Sequence, residues 1–245
     1  MKLLLEIRYD GSGFHGWQVQ PDKITVQSCI QDALEKLFGK RYDVTGCSRT
    51  DSGVHARQFF CTVDGMSESK ISLDRVPRAL CALLPDEAAV ISCREVPDDF
   101  HPRYSCKGKE YEYIINARSC RDPFLRGRAW QLCRELDIPA MERAAKGIEG
   151  KHDFSSFCAA NASTSDNVRT VEYCRVTEEN GIVLINITAD GFLYNMVRII
   201  TGTLVEAGLG KKEYEDTGKI IERLDRKAAG ITAPACGLYL NRVKY

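Results

Sequence analysis

In the stretch Cys47 to Arg57, which reads C-S-R-T-D-S-G-V-H-A-R, an arginine, a carboxylate and a glycine fall within five positions. Asp51 is the one acid there, and a positioned carboxylate can act as a nucleophile or as a general base. It can equally sit on a plain surface turn, because Asp and Ser hydrogen-bond to nearby backbone and Gly takes positive φ. A second charge stands out in G-F-L-Y-N-M-V-R-I-I-T-G-T-L-V, Gly191 to Val205, where Arg198 is the only charged residue. A helix that is apolar nearly all round is a buried helix. Its guanidinium must either reach solvent along its stem or meet a carboxylate, since an unpaired buried charge is very costly. Asp51 is the candidate partner. In Lys109-Glu110-Tyr111-Glu112-Tyr113 the two tyrosines fall on one face of a strand, where they can pack a core or stack on a nucleobase.

Two other motifs compete for attention. Gly11-Ser12-Gly13-Phe14-His15-Gly16 has the G-x-G-x-x-G spacing of a dinucleotide site, but that site must open directly into a helix. Trp17-Gln18-Val19-Gln20-Pro21 follows instead, which argues against a nucleotide there. Asp51-Ser52-Gly53 and Asp216-Thr217-Gly218 both match the D-[ST]-G triplet of aspartic proteases. Such a dyad needs each triplet among apolar strands in a water-poor cleft. The second triplet lies in a helical pattern, so the protease is the remote alternative, behind a non-catalytic RNA-binding module.

The 245 residues have the apolar and charged fractions of a soluble globular protein. The start, Met1-Lys2-Leu3-Leu4-Leu5-Glu6, lacks the apolar core of a signal peptide, and the expected location is the cytoplasm. Eleven cysteines, with no Cys-x-x-Cys pair, and four scattered histidines predict packing thiols and no metal. Formal net charge is zero, yet the charge is segregated. Asp86 to Asp99 holds five acids against Arg94, and His101 to Trp130 holds seven bases against Glu110, Glu112 and Asp122. A basic face on a neutral protein is compatible with RNA.

The elements that must carry these residues repeat. Leu3 to Tyr9 alternates as a strand, and Val26 to Phe38 has the apolar spacing of a helix. Strand-like runs at Tyr42 to Cys47 and Gln58 to Val63 flank the Asp51 loop. A helix capped by Ser72 and stopped by Pro85 follows, then a strand at Ala88 to Val96. The order recurs as a strand at Tyr111 to Asn116, a helix at Ile138 to Ile148 and a hairpin of Val171 to Thr177 with Ile182 to Ala189 through Asn180-Gly181. A helix at Phe192 to Ala207 and a closing strand at Gly237 to Val243 complete it, with an extra helix at Glu213 to Leu224. The expected fold class is α+β: two ferredoxin-like (RRM-like) β-α-β-β-α-β domains, residues 1–103 and 104–245, with antiparallel sheets and a catalytic cleft between them.

With these residues assembled, the chain resembles the tRNA pseudouridine synthase family TruA along nearly its whole length. Tyr9-Asp10-Gly11-Ser12 with Gly16-Trp17-Gln18 is similar to the family's opening motif, and Arg49-Thr50-Asp51 with Gly53-Val54-His55-Ala56 to its catalytic loop. Phe100-His101 with Arg103, Tyr111-Glu112-Tyr113, His152-Asp153-Phe154, Met196-Val197-Arg198 and Gly237-Leu238-Tyr239-Leu240 resemble its later motifs in order. Ser48 and Ser52 stand where the family usually has Gly and Ala, and Lys107-Gly108-Lys109-Glu110 departs from its usual Ala-Arg.

The resemblance implies a cofactor-free homodimeric isomerase acting on uridines 38, 39 and 40 in the anticodon stem-loop of tRNA. It implies that Asp51 is the catalytic carboxylate, Arg198 its salt-bridge partner and Arg49 the residue beside the flipped nucleotide. Tyr111 is implied to pack on the target base, with Tyr9, Gln18 and His55 among the substrate-binding residues. Such a reaction breaks the glycosidic C–N bond, turns the base and joins C5 to the ribose. An ionised carboxylate could add to C6 of the ring or C1′ of the ribose, or take the C2′ proton, and the residues do not choose among these. A base in a stem must also be extruded, at a cost of a few kcal/mol.

Overall fold

The computed structural model describes residues 1–65, 71–160 and 166–245. Along the described chain run β1 (Lys2–Tyr9), α1 (Val26–Phe38), β2 (Val44–Gly46), β3 (His55–Val63), α2 (Val76–Cys81) and β4 (Ala88–Val96). They are followed by β5 (Gly108–Asn116), β6 (Trp130–Gln131), α3 (Ile138–Lys146), β7 (Gly150–Asp153), β8 (Val168–Glu179) and β9 (Ile182–Ala189). The last elements are α4 (Met196–Gly208), α5 (Thr217–Glu222) and β10 (Leu238–Lys244). The fold is α+β, with mostly antiparallel strand pairing. The chain divides into two compact units, Met1–Lys107 with Tyr239–Tyr245, and Gly108–Leu238.

In the first unit β1 lies between β3 and β4, antiparallel to both, and β2 pairs antiparallel with β3. The alternation of Leu3, Leu5 and Ile7 puts these side chains in the core, along with Phe59, Cys61 and Val63 of β3. Helix α1 starts and stops where its sequence says: Thr25 and Ser28 form a reciprocal capping box, and Gly39 ends the helix with φ of 73°. Helix α2 is shorter than Ser72 predicts. Pro77 has no N–H to give and fits only a first turn, so the helix opens at Val76, while the Ser72 carbonyl accepts from the Arg75 N–H in a preceding turn. The closing strand, expected with the second repeat, contributes Tyr239–Tyr245 to this first unit, where β10 pairs parallel with β3 through Tyr239–His55 and Leu240–Ala56.

In the second unit β9 lies between β5 and β8, antiparallel to both, and β7 extends β8. Asn180 and Gly181, with φ of 52° and 76°, close the expected hairpin. Tyr111, Tyr113 and Ile115 point to the buried face and Glu110 and Glu112 to the other. Helix α4 begins four residues later than the periodicity predicts, because Asn195 adopts φ of 60°, outside the right-handed helical region. Every residue of α4 except Arg198 is buried. The stretch Glu213 to Leu224, read as one helix, instead holds the end of a 3-10 turn (Lys212–Tyr214) and the short α5, with Asp216 capping α5.

Candidate active site

The Asp51 loop is held by the segment after β1, and the glycines of the G-x-G-x-x-G stretch explain how. A Cβ on Gly11 would lie 2.0 Å from the Val54 carbonyl oxygen, and one on Gly16 would lie 2.5 Å from that of Thr50. The two backbones therefore touch, which only glycine permits. The contact is reinforced by hydrogen bonds from Trp17 N–H to Thr50 O (3.1 Å) and from Gly53 N–H to Phe14 O (3.3 Å). The Tyr9 hydroxyl meets Thr50 Oγ1 at 2.8 Å in a buried setting. Val54 N–H bonds to Asp51 O at 3.2 Å, and Gly53 takes φ of 79°, so Asp51 sits on a tight turn. Beneath, the Trp17 and Phe59 rings stack at 4.3 Å. Asp51 is thus a half-buried carboxylate on a turn braced by the segment after β1.

His55, 2% exposed, accepts from the Gly11 N–H through Nδ1 at 3.0 Å. Asp10 Oδ1 lies 3.2 Å from the same nitrogen. The imidazole stacks on Tyr239 at 4.5 Å, and Arg57 lies over the Tyr239 ring at 4.7 Å. Tyr9 and His55, both expected at the substrate, are buried with their polar atoms engaged by the loop and its brace. Gln18 and Arg49 are exposed. Thr50, offered by the sequence only as a member of the Arg49-Thr50-Asp51 motif, supplies the hydroxyl that meets Tyr9.

In the second unit the Tyr111 ring is buried, packed edge-on against Phe192 at 5.0 Å. Tyr113 is fully buried, donates to Pro234 O at 2.7 Å, and has its phenol pushed well up by burial. Arg198, in the first turn of α4, donates through Nε to Ala233 O and through Nη1 to Asn195 Oδ1, both at 2.8 Å. Asn195 thereby gives the arginine the side chain that would otherwise cap the helix. The guanidinium does not trail into solvent. It is half-buried and aimed by two acceptors.

Asp216 does not fit a protease dyad. It is exposed, accepts from the Lys219 N–H as the cap of α5, and pairs with Lys219 Nζ at 2.9 Å. That lysine holds its carboxyl below the usual range. Among the described residues no cluster of His, Cys, Asp and Glu could hold a metal, and no helix is long and apolar enough to cross a membrane.

The family model described as tRNA pseudouridine synthase matches residues 7–105 and 144–245, segments that include both the Asp51 loop and Arg198. The chain belongs to the tRNA pseudouridine synthase family. As a pseudouridine synthase it is an isomerase. Its relatives named tRNA pseudouridine synthase A include that of Thermoanaerobacter sp. (strain X514), 41% identical over 99% of this chain and 99% of its own length. Those of Ruminiclostridium cellulolyticum and Acetivibrio thermocellus are 43% and 44% identical, each over 100% of this chain and 99% of its own length.

Proposed function

We propose that this pseudouridine synthase isomerises uridine at positions 38, 39 and 40 in the anticodon stem-loop of tRNA, as a cytoplasmic homodimer with Asp51 as the catalytic carboxylate. The observation that carries the reading is the braced loop. It fixes a half-buried carboxylate by backbone contacts to Gly16, Trp17 and Phe14, within a segment that the family model matches. Fixed placement is what a carboxylate needs to meet a flipped nucleotide in a reactive geometry. The antiparallel order β4-β1-β3-β2 supports a ferredoxin-like reading of the first unit.

The chemistry divides among the residues by their placement. Asp51 acts as the anion, either adding to the uridine or taking a proton, while the glycosidic bond breaks and C5 joins C1′. Arg198 is the proposed counter-charge that favours the ionised form. In the second unit the guanidinium is aimed by its bonds to Ala233 O and Asn195 Oδ1. Tyr111 packs on the extruded base, Arg49 occupies the gap it leaves, and Gln18 contacts the RNA. Tyr9 and His55 act by holding the loop. The Asp51→Asn variant, incubated with tRNA tritiated at uridine C5, is expected to release no tritium while binding tRNA as tightly as wild type. Release at the wild-type rate would remove Asp51 from the chemistry.

A further inference from the structure

Between β5 and β6 the chain runs Ala117-Arg118-Ser119-Cys120-Arg121-Asp122-Pro123-Phe124-Leu125-Arg126-Gly127-Arg128-Ala129. Phe124 is 88% exposed, the most exposed large apolar side chain among the described residues. The loop that carries the ring is built tightly. Asp122 caps the 3-10 turn Pro123–Leu125, accepting from the Phe124 N–H at 2.9 Å. Asn116 Nδ2 bonds to Cys120 O at 3.1 Å and to Gln131 Oε1 at 2.7 Å. Gln131 in turn accepts from the Asp122 N–H and donates to Asp122 O, both at 3.1 Å. Gly127, with φ of 71°, turns the chain back, and Ala129 N–H closes onto Leu125 O. Phe124 is thus presented by a fixed scaffold.

Its neighbours are cations. Arg121, Arg126 and Arg128 are all exposed and lie within four residues of the ring. The one acid in the loop, Asp122, is matched by Arg118 at 3.1 Å, so the outward charge is positive. Arg121 and Arg126 form no ion pair among the described residues.

We infer that this loop is a second RNA-binding element of the enzyme, outside the Asp51 site, in which Phe124 stacks on an unpaired base of the substrate and Arg121, Arg126 and Arg128 hold the adjoining phosphates. The inference rests on the proposed tRNA substrate. A rigid aromatic ringed by arginines is the pairing that single-stranded RNA recognition uses, stacking for the base and guanidinium for the backbone. A second copy of this chain fits less well. A two-fold contact through this loop would set its arginines against themselves.

The test uses the full chain with intact tRNA. Phe124→Ala is expected to weaken tRNA binding by about tenfold, with turnover at saturating tRNA unchanged, and Phe124→Trp to restore it. Replacing Arg121, Arg126 and Arg128 together by Gln is expected to lower the slope of log K against log salt by roughly two to three, one for each lost phosphate contact. Unfolding midpoints equal to wild type show that the variants are folded. Wild-type affinity and salt slope in both variants would overturn the inference, and so would a change in oligomeric state, which would assign the loop to contacts between copies. If wild type itself releases no tritium from tRNA, the proposed substrate fails, which is a separate outcome.

Discussion

Gly16→Ala tests whether the brace on the Asp51 loop is what the geometry says it is. The new Cβ would come 2.5 Å from Thr50 O and 3.1 Å from the Asp51 carbonyl carbon, about 0.9 Å inside the 3.4 Å where ordinary contact begins at the first of these atoms. The backbone there has φ of 86°. The conformational part costs about 1–2 kcal/mol and the overlap, which no flexible side chain can relieve, a further ~1–3 kcal/mol. The sum of about 2–5 kcal/mol is a large share of a typical folding free energy and lowers the thermal midpoint by on the order of 10 °C. Two other glycines separate the terms. Gly39 shares a positive φ of 73° but has nothing within 4 Å of its Cβ, so Gly39→Ala carries the conformational part alone, about 1 kcal/mol. Gly13 also has open space and no positive φ, and Gly13→Ala stays within about 0.5 kcal/mol of wild type. Denaturant unfolding gives the stabilities and tritium release gives the activity. Because Gly16 presses on Thr50 and Asp51 themselves, activity falls by on the order of 100-fold at temperatures where Gly16→Ala is fully folded. A Gly16→Ala enzyme no less stable than Gly39→Ala and fully active would refute the brace.

The remaining expectations concern single contacts. Tyr9→Phe removes a buried hydroxyl pair and costs about 1–3 kcal/mol, and in a double-mutant cycle with Thr50→Val the two losses are strongly non-additive; additive losses would show that the 2.8 Å contact is idle. Arg198→Gln loses the bonds to Ala233 and Asn195 and costs about 1–3 kcal/mol in denaturant unfolding. It also loses at least tenfold in turnover well below its midpoint, whereas wild-type turnover would exclude Arg198 as the counter-charge of Asp51. Burial pushes the Cys93 thiol up from 9.0 to about 11, and it acts in the same direction on Cys61 and Cys174. The folded state therefore holds protons that the unfolded chain gives up, so stability is complete below pH ~9 and declines as pH rises toward 11. Cys93→Ala flattens that decline in unfolding measured under reducing conditions, and an unchanged pH profile would contradict the burial of the thiol.

Elements set by local rules were legible in the residues. Thr25, Ser28 and Gly39 delimit α1 by hydrogen bonds that their own side chains and backbone make, and Asn180-Gly181 dictates a turn by its backbone freedom. What was hidden was set by tertiary context. The run before Met196 is as apolar as the helix after it, and nothing local tells that Asn195 leaves the helical region with its side chain on Arg198. The spacing of Gly11 and Gly16 had a meaning, but that meaning is the backbone of residues 50–54, some forty positions away. Asp51 was legible as a candidate because its neighbours are of the right type. That Tyr9 and His55 are buried was not, because burial is decided by tertiary packing.

The parallel pairing of β10 with β3 has a consequence for how the protein is made. Arg57 and Asn241, bonded side chain to side chain at 3.2 Å, are 184 residues apart. During synthesis the strand that leads away from the Asp51 loop leaves the ribosome with this edge open, and the second unit must be translated before Tyr239 arrives to stack on His55. Long-range pairing of this kind is slow to form and exposes an unpaired strand meanwhile. The Asp51 loop is thus encoded early and braced late, after the residues of the second unit have been translated.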